Sequence, residues 1–461
     1  MGVPQAAYLI KSENSDRISD ETALRFGAMR RIVRIALISI VAFLATGRVK
    51  VCAQSPVPAS PAASASPAAQ AETLKPGTII GADNVEQYAR YIPGAGKFAI
   101  AHGFKMRITP ARRVEWSAGF RHATEKYSPQ VTLDSDDYLK NYVAGMPFPL
   151  VDPNDPKAAV KIAYNWHMGP FMPDDFSLAP WSSNGYEPDA AKPDRIVPKG
   201  DKDYICDEFD FLRYAHRTDV DPRPTLGDNA NGFEWKAKCN RWESDLSESA
   251  TSEGAGIWVR YLDPKRPDEF FAFSEASRRV RRLKVNLAYP NEYCRGCHQP
   301  YWAYALPKTE NYSYRLLGTA VLLACLAADD EPAGFKTASD GLTLGEEPFE
   351  LRRAYIIEMR PRYPDETSAG LRTIIYVDSE VYVWIAAEFY QSAGLTATAM
   401  PLWRMRPSAE GGNLFDLAGS FYRPEHGESF FRSLVPAHNE FKQSINSGGI
   451  GEGAFNPQMM H

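Results

Sequence analysis

The residues whose types and spacing best suit chemistry are Cys294-Arg295-Gly296-Cys297-His298. Two cysteines separated by two residues can form thioethers with the two vinyl groups of haem. A histidine directly after the second cysteine can then ligate the iron as its proximal partner. Tyr293, Tyr301, Trp302 and Tyr304 flank the pentad and would wall a porphyrin. The competing readings are a strained local disulfide or half of a zinc site. No second C-x-x-C exists in the chain to complete a four-ligand zinc centre. The spacing therefore predicts one covalent haem c held by Cys294, Cys297 and His298.

A haem iron needs, or leaves open, a sixth position. His167-Met168 offers both usual ligand types and is expected in a loop rich in aromatics and prolines, with His102, His122 and His216 as competitors. Cys206 and Cys239 are a candidate disulfide for an oxidising compartment, against the alternative of two separate buried thiols. Closing that loop would contribute roughly 3–4 kcal/mol in the chain-entropy model. Cys325, inside the apolar run Leu316–Leu326, reads as a small buried hydrophobe. The chain carries no G-x-S-x-G elbow, P-loop, dinucleotide fingerprint or H-E-x-x-H. No catalytic residue is assigned, and nothing in the sequence calls for an enzyme.

The segments that must position these groups begin with a leader. Ile35–Leu44 is an apolar run preceded by Arg30, Arg31 and Arg34. It is too short to span a bilayer and suits the central region of a signal peptide. Val51, Cys52 and Ala53 supply small residues at a cleavage spacing, so a mature start near Gln54 is expected, with either Met1 or Met29 as first residue. Export fits the haem reading, because covalent attachment in bacteria follows secretion. An uncleaved membrane anchor or cell-surface attachment is the alternative. The chain thus divides into a leader and signal peptide (1–53), a Pro/Ala/Ser-rich linker (54–72) and a folded domain (73–461), with the pentad in a loop near 286–311.

Of 461 residues, 12% are aromatic, which favours a core built on sheets. The formal net charge of -5 gives no electrostatic case for nucleic acid. Arg278, Arg279, Arg281 and Arg282 read as the wet side of a strand. Short helices are expected at Asp83–Arg90, capped by Asp83 and ended by Pro93-Gly94, and at Asp136–Val143. The proline density between Met146 and Ala237 predicts long loops. Glu350–Met359, Leu371–Val377, Val381–Tyr390 and Leu395–Arg404 read as a β-meander with tight turns at Asp378-Ser379-Glu380 and Gln391–Gly394. Within it Tyr382, Trp384 and Ala386 share one face and Val383, Ile385, Ala387 and Phe389 the other. A sheet covered on both sides, or one lining an apolar cavity, has this pattern.

At LKNYVAGMPFPLVDPNDPKAAVKIAYNW (Leu139 to Trp166), SRRVRRL (Ser277 to Leu283) and IIYVDSEVYVWIAAEFYQSAG (Ile374 to Gly394) the chain resembles a known family. It is similar to the proteobacterial domain of unknown function 1329, grouped with the LolA-like outer-membrane lipoprotein-sorting proteins. The resemblance spans roughly Leu74 to His461 and rests on fold-defining segments. It implies a mainly β, α+β fold: an incomplete antiparallel β-barrel wrapped around helices or a cavity, with long loops. In the smaller LolA and LolB relatives that cavity holds acyl chains. The resemblance thus implies a periplasmic carrier of lipid or another apolar ligand, partnered by an envelope transporter or outer-membrane protein. Tyr382, Trp384, Ile385 and Phe389 are its cavity candidates. The chain is about twice as long as LolA, and the C-x-x-C-H pentad is not a general feature of such carriers. A monohaem electron-transfer protein is the alternative function.

Overall fold

The β-branched and aromatic runs of the C-terminal third form long antiparallel strands. The computed structural model describes residues 74–169, 174–178, 181–189, 196–198, 204–206, 209–213, 232–243, 253–261, 263, 265–274, 277–285, 308–328, 336–338, 341–364, 370–408, 411–424, 431–435 and 450–460. The leader, the linker and the C-x-x-C-H pentad lie outside these residues. In chain order the strands are β1 (Ile79–Ile80), β2 (Lys105–Ile108), β3 (Thr132–Leu133), β4 (Leu139–Lys140), β5 (Asp175–Leu178), β6 (Trp181–Pro188), β7 (Ile196–Pro198), β8 (Tyr204–Cys206), β9 (Phe209–Arg213), β10 (Phe233–Glu243), β11 (Glu253–Tyr261) and β12 (Asp268–Ser274). There follow β13 (Arg279–Val285), β14 (Tyr312–Ala324), β15 (Lys336–Ala338), β16 (Gly341–Thr343), β17 (Glu346–Pro361), β18 (Arg372–Asp378), β19 (Trp384–Gln391), β20 (Gly394–Pro407), β21 (Asn413–Pro424) and β22 (Phe431–Val435). The helices are α1 (Gly94–Ala101), α2 (Ala118–Tyr127) and α3 (Ala158–Met168).

Followed from partner to partner, one path through the main sheet runs β14–β17–β18–β19–β20–β21–β22–β6–β8–β10–β11–β12–β13. The sheet is open. Among the described residues β13 pairs only with β12, and β14 forms its ladder only with β17. The fold is mainly β, as the sequence implies.

Alternation along the strands sends side chains to two separate cores. Leu322 and Ala324 enter an inner core, while Leu323 and the free thiol Cys325 enter a second one. The inner core is shared by both halves of the sheet: Trp235, Trp258 and Phe270 come from one half, Ile357, Ile375 and Trp403 from the other. Into it α3 inserts Ile162, Ala163 and Trp166. The second core lies under α1, where Phe98, Ala99 and Ile100 meet Met400, Leu402 and Phe421. A third, around Leu212, Ile257 and Phe273, is covered by Phe455 and Met460 near the C-terminus. The sheet therefore shares its inner core with α3 and with Phe120 of α2, and its second core with α1.

Five local expectations are corrected. The short helix expected at Asp83–Arg90 is present as a 3-10 helix over Val85–Tyr91, but its N-cap is Asn84 and not Asp83; Asn84 Oδ1 accepts the Gly81 N–H at 2.9 Å. Pro93-Gly94 opens α1 and does not end the preceding helix, which fits proline's missing N–H at a helix start. Asp136–Val143 is not helical. Asp134 Oδ1 accepts the N–H groups of Asp136 and Tyr138, Asp137 and Asn141 have φ of 66° and 58°, and β3 pairs with β4. Side-chain capture of the backbone has beaten helical periodicity there. The proline-dense stretch contains α3 and several strands, so His167 and Met168 end a helix and do not lie in a loop. Finally, Tyr382 precedes β19 in the turn, with φ of 56°, so it is not part of the strand face it was assigned to.

Candidate functional site

The inner core is covered incompletely along β14, whose ladder among the described residues is with β17 alone. Tyr314, Leu316 and Ala320 of β14 and Ala272 of β12 pack against it yet remain partly exposed. Deeper in, Val381 to Ala387 are all buried. The four cavity candidates separate accordingly: Tyr382, Trp384 and Ile385 are buried in the inner core, and Phe389 packs against it partly exposed. The Trp384 and Trp403 rings stand edge to face with centroids 6.4 Å apart, and Trp403 Nε1 donates to the Trp384 carbonyl at 2.7 Å. Trp384 Nε1 is itself buried without an acceptor. A buried donor left unsatisfied costs roughly 1–3 kcal/mol, so a bound polar atom at that point would be favourable.

A polar cluster closes one end of this interior, where the chain returns from the pentad. His167, at the end of α3, has Thr309 Oγ1 3.0 Å from Nδ1 and Glu234 Oε1 3.2 Å from Nε2. Tyr164, one turn earlier, donates to Glu310 Oε1 at 3.0 Å; burial first, then the Glu310 charge, raises its phenol well above the usual range. Lys308 Nζ lies 3.3 Å from Asp268 Oδ1 and donates to the carbonyls of Asp263 and Arg266. Asp268 also meets Arg260 at 3.3 Å and stands opposite Val285, the last residue of β13. Lys308, Thr309 and Glu310 thus tie the start of β14 to α3 and to β12. Both ring nitrogens of His167 are engaged in this cluster, and Met168 beside it is half-buried.

The remaining sequence candidates fall as follows. Cys294, Cys297 and His298 lie outside the described residues, as does His216. His102 caps α1, with Nδ1 2.8 Å from the Phe98 carbonyl, and His122 is exposed on α2. Cys239 is fully buried and disulfide-bonded. Since Cys325 is free, the other sulfur belongs to a cysteine whose side chain is not described. The register sets Cys206 opposite Trp242 and Cys239 opposite Phe209. Among the described residues no group of three or more His, Cys, Asp or Glu is arranged to hold a metal ion. No described helix is long and apolar enough to cross a membrane.

Sequence reasoning missed the buried ion cluster at the β17–β18 end. Arg352 Nε and Nη2 donate to the two Asp378 carboxylate oxygens at 2.7 and 3.1 Å, and Nη2 also reaches Glu380 at 2.8 Å. Glu350 accepts the Arg112 N–H at 2.6 Å with one oxygen, while its other is buried without a hydrogen-bond partner. Burial raises the Glu350 carboxyl above its ordinary range, against the pull of the Arg112 N–H and of Arg352. The only sequence signal for this cluster was charged residues inside an apolar strand.

The profile of the family described as Protein of unknown function (DUF1329) matches residues 79–186. No curated protein shows significant similarity to the chain. Among solved structures, the chain is similar to a domain provisionally described as an outer-membrane lipoprotein-sorting protein from Vibrio parahaemolyticus, at 13% identity and a TM-score of 0.40, covering 65% of this chain and 97% of that one. A DUF1329 family protein from Desulfovibrio piger matches at 11% identity and a TM-score of 0.41, covering 66% of this chain and 98% of that one. A LolA superfamily protein from Nitrosomonas europaea gives 12% identity and a TM-score of 0.29, with coverages of 57% and 83%.

Proposed function

We propose that this chain is an exported, non-catalytic carrier of a lipid or other apolar ligand, serving outer-membrane or envelope transport, and that it bears one haem c. The observation that carries the reading is an apolar interior, shared by both halves of an open sheet, whose cover along β14 is incomplete. Each methylene of an acyl chain laid against it would contribute about 0.8 kcal/mol, enough for a long chain to bind after its ordering costs. Periplasmic localisation follows from the Arg30–Leu44 leader, and delivery to an envelope transporter or outer-membrane protein from the ligand's insolubility.

The haem reading rests on the Cys294/Cys297/His298 spacing alone, and it supports the second function, electron transfer. The haem would supply one-electron chemistry; Cys294 and Cys297 would hold it and His298 would ligate it. One preparation tests both parts. Protein exported from cells with a haem-maturation system should keep haem through denaturing electrophoresis and, once delipidated, change its tryptophan emission on addition of a long-chain fatty acid. Haem without any acyl response would favour the redox function. Acyl binding by a colourless protein would leave the carrier without its haem.

A further inference from the structure

We infer that the inner face of β13 binds the anionic phosphate headgroup of an acyl lipid, with Arg279 and Arg281 as its ligands. This rests on the carrier reading and specifies the ligand of that same interior. The register decides which arginines face inward. Arg281 stands opposite Ala272 and Arg279 opposite Ser274. Residues directly opposite in an antiparallel pair share a face, and Ala272 packs against the inner core. Arg282 and Val280 belong to the other face, opposite Phe271 and Phe273 of the third core.

The two faces treat their arginines differently. Arg282 is paired with Glu269, and its guanidinium lies 5.9 Å from the Phe271 ring centroid. Arg279 and Arg281 are exposed and have no ion-pair or hydrogen-bond partner among the described residues. Their Cα atoms are spaced two residues apart along the strand, about 7 Å. Two guanidinium forks at that spacing can each donate to one phosphate group. Arg281 lies directly across from Ala272, a partly exposed residue packed against the inner core, and both arginines sit on a strand that pairs only with β12 among the described residues. An amphiphile seated there would bury its chain inward and leave its headgroup at the arginines. The positive charge is local, since the whole chain has a formal net charge of -5. That favours an anionic over a zwitterionic headgroup.

The test titrates delipidated full-length protein with lysophosphatidylglycerol and lysophosphatidylcholine of equal chain length, both below their micelle concentrations, and with inorganic phosphate as competitor. The anionic lipid should bind roughly tenfold tighter, and added salt should shrink the difference. Arg279→Ala/Arg281→Ala should bring the two lipids to within about twofold, leaving lysophosphatidylcholine affinity unchanged. Equal affinities in the wild type, or a preference that survives in the double variant, would overturn the assignment while sparing the carrier reading. So would a double variant altered only in self-association, the result expected of charges that merely blunt a free sheet edge. Competition by inorganic phosphate at the lipid's own concentration would mark a free-anion site instead. If neither lipid binds, the carrier reading itself fails.

Discussion

Arg352 is a buried guanidinium placed among three carboxylates, and the arrangement makes Glu350 sensitive to pH. Arg352 satisfies Asp378 on both oxygens and reaches Glu380, which leaves Glu350 Nη1 of Arg352 at 3.9 Å. A carboxyl raised by burial favours the folded state when protonated, so its contribution is present at low pH and lost as pH rises through its folded value. Glu350→Gln should therefore stabilise the protein at neutral pH, by about 1 kcal/mol, and lose that advantage below the ordinary carboxylate range. Urea unfolding at both ends of the range checks it. Destabilisation at neutral pH that disappears below the ordinary carboxylate range would mean that Glu350 works as a paired anion. Glu269 and Glu358 run the other way. Their arginine partners, outweighing burial, hold them low, so their stabilisation is lost as pH falls. Asp378-Ser379-Glu380 is legible in the sequence as a turn, and Asp378 Oδ1 does accept the N–H groups of Glu380 and Val381. That it also receives Arg352 depends on how β17 lies against β18, which no local pattern records.

Strands are more legible than helices in this chain. The four C-terminal runs became β17 to β20 because β-branched and aromatic side chains favour one extended state, and Gly394, with φ of 120°, makes the turn between β19 and β20. The α3 helix was hidden by prolines before and after it. Asp155, whose carboxylate accepts the Lys157 N–H and whose carbonyl accepts that of Ala158, starts it just after Pro156. The disulfide is an element-scale question too. Cys239 is bonded, and Cys206 on the neighbouring β8 is the proposed partner, which would leave Cys294 and Cys297 for thioethers. Non-reducing peptide mapping should recover Cys206 and Cys239 in one linked pair. A link from Cys239 to Cys294 or Cys297 would contradict the pairing and remove a haem attachment thiol.

At the scale of the whole molecule, what positions the site is an open sheet whose two halves share one core with α3. Period-two patterning made the mainly β class legible. It could not reveal which strands would end the path through the sheet, because that depends on long-range pairing; among the described residues β13 pairs only with β12 and β14 forms its ladder only with β17. Nor could it show that residues on either side of the pentad segment meet the same interior: Ala272 before it, Tyr314 and Leu316 after it. Native mass spectrometry of the protein taken directly from an envelope fraction, without detergent, tests the carrier claim most directly. The predicted spectrum carries an acyl-lipid adduct above the protein mass that disappears on organic extraction and returns when the lipid is restored. A single species at the mass of the protein alone, unchanged by incubation with acyl lipid, would contradict it.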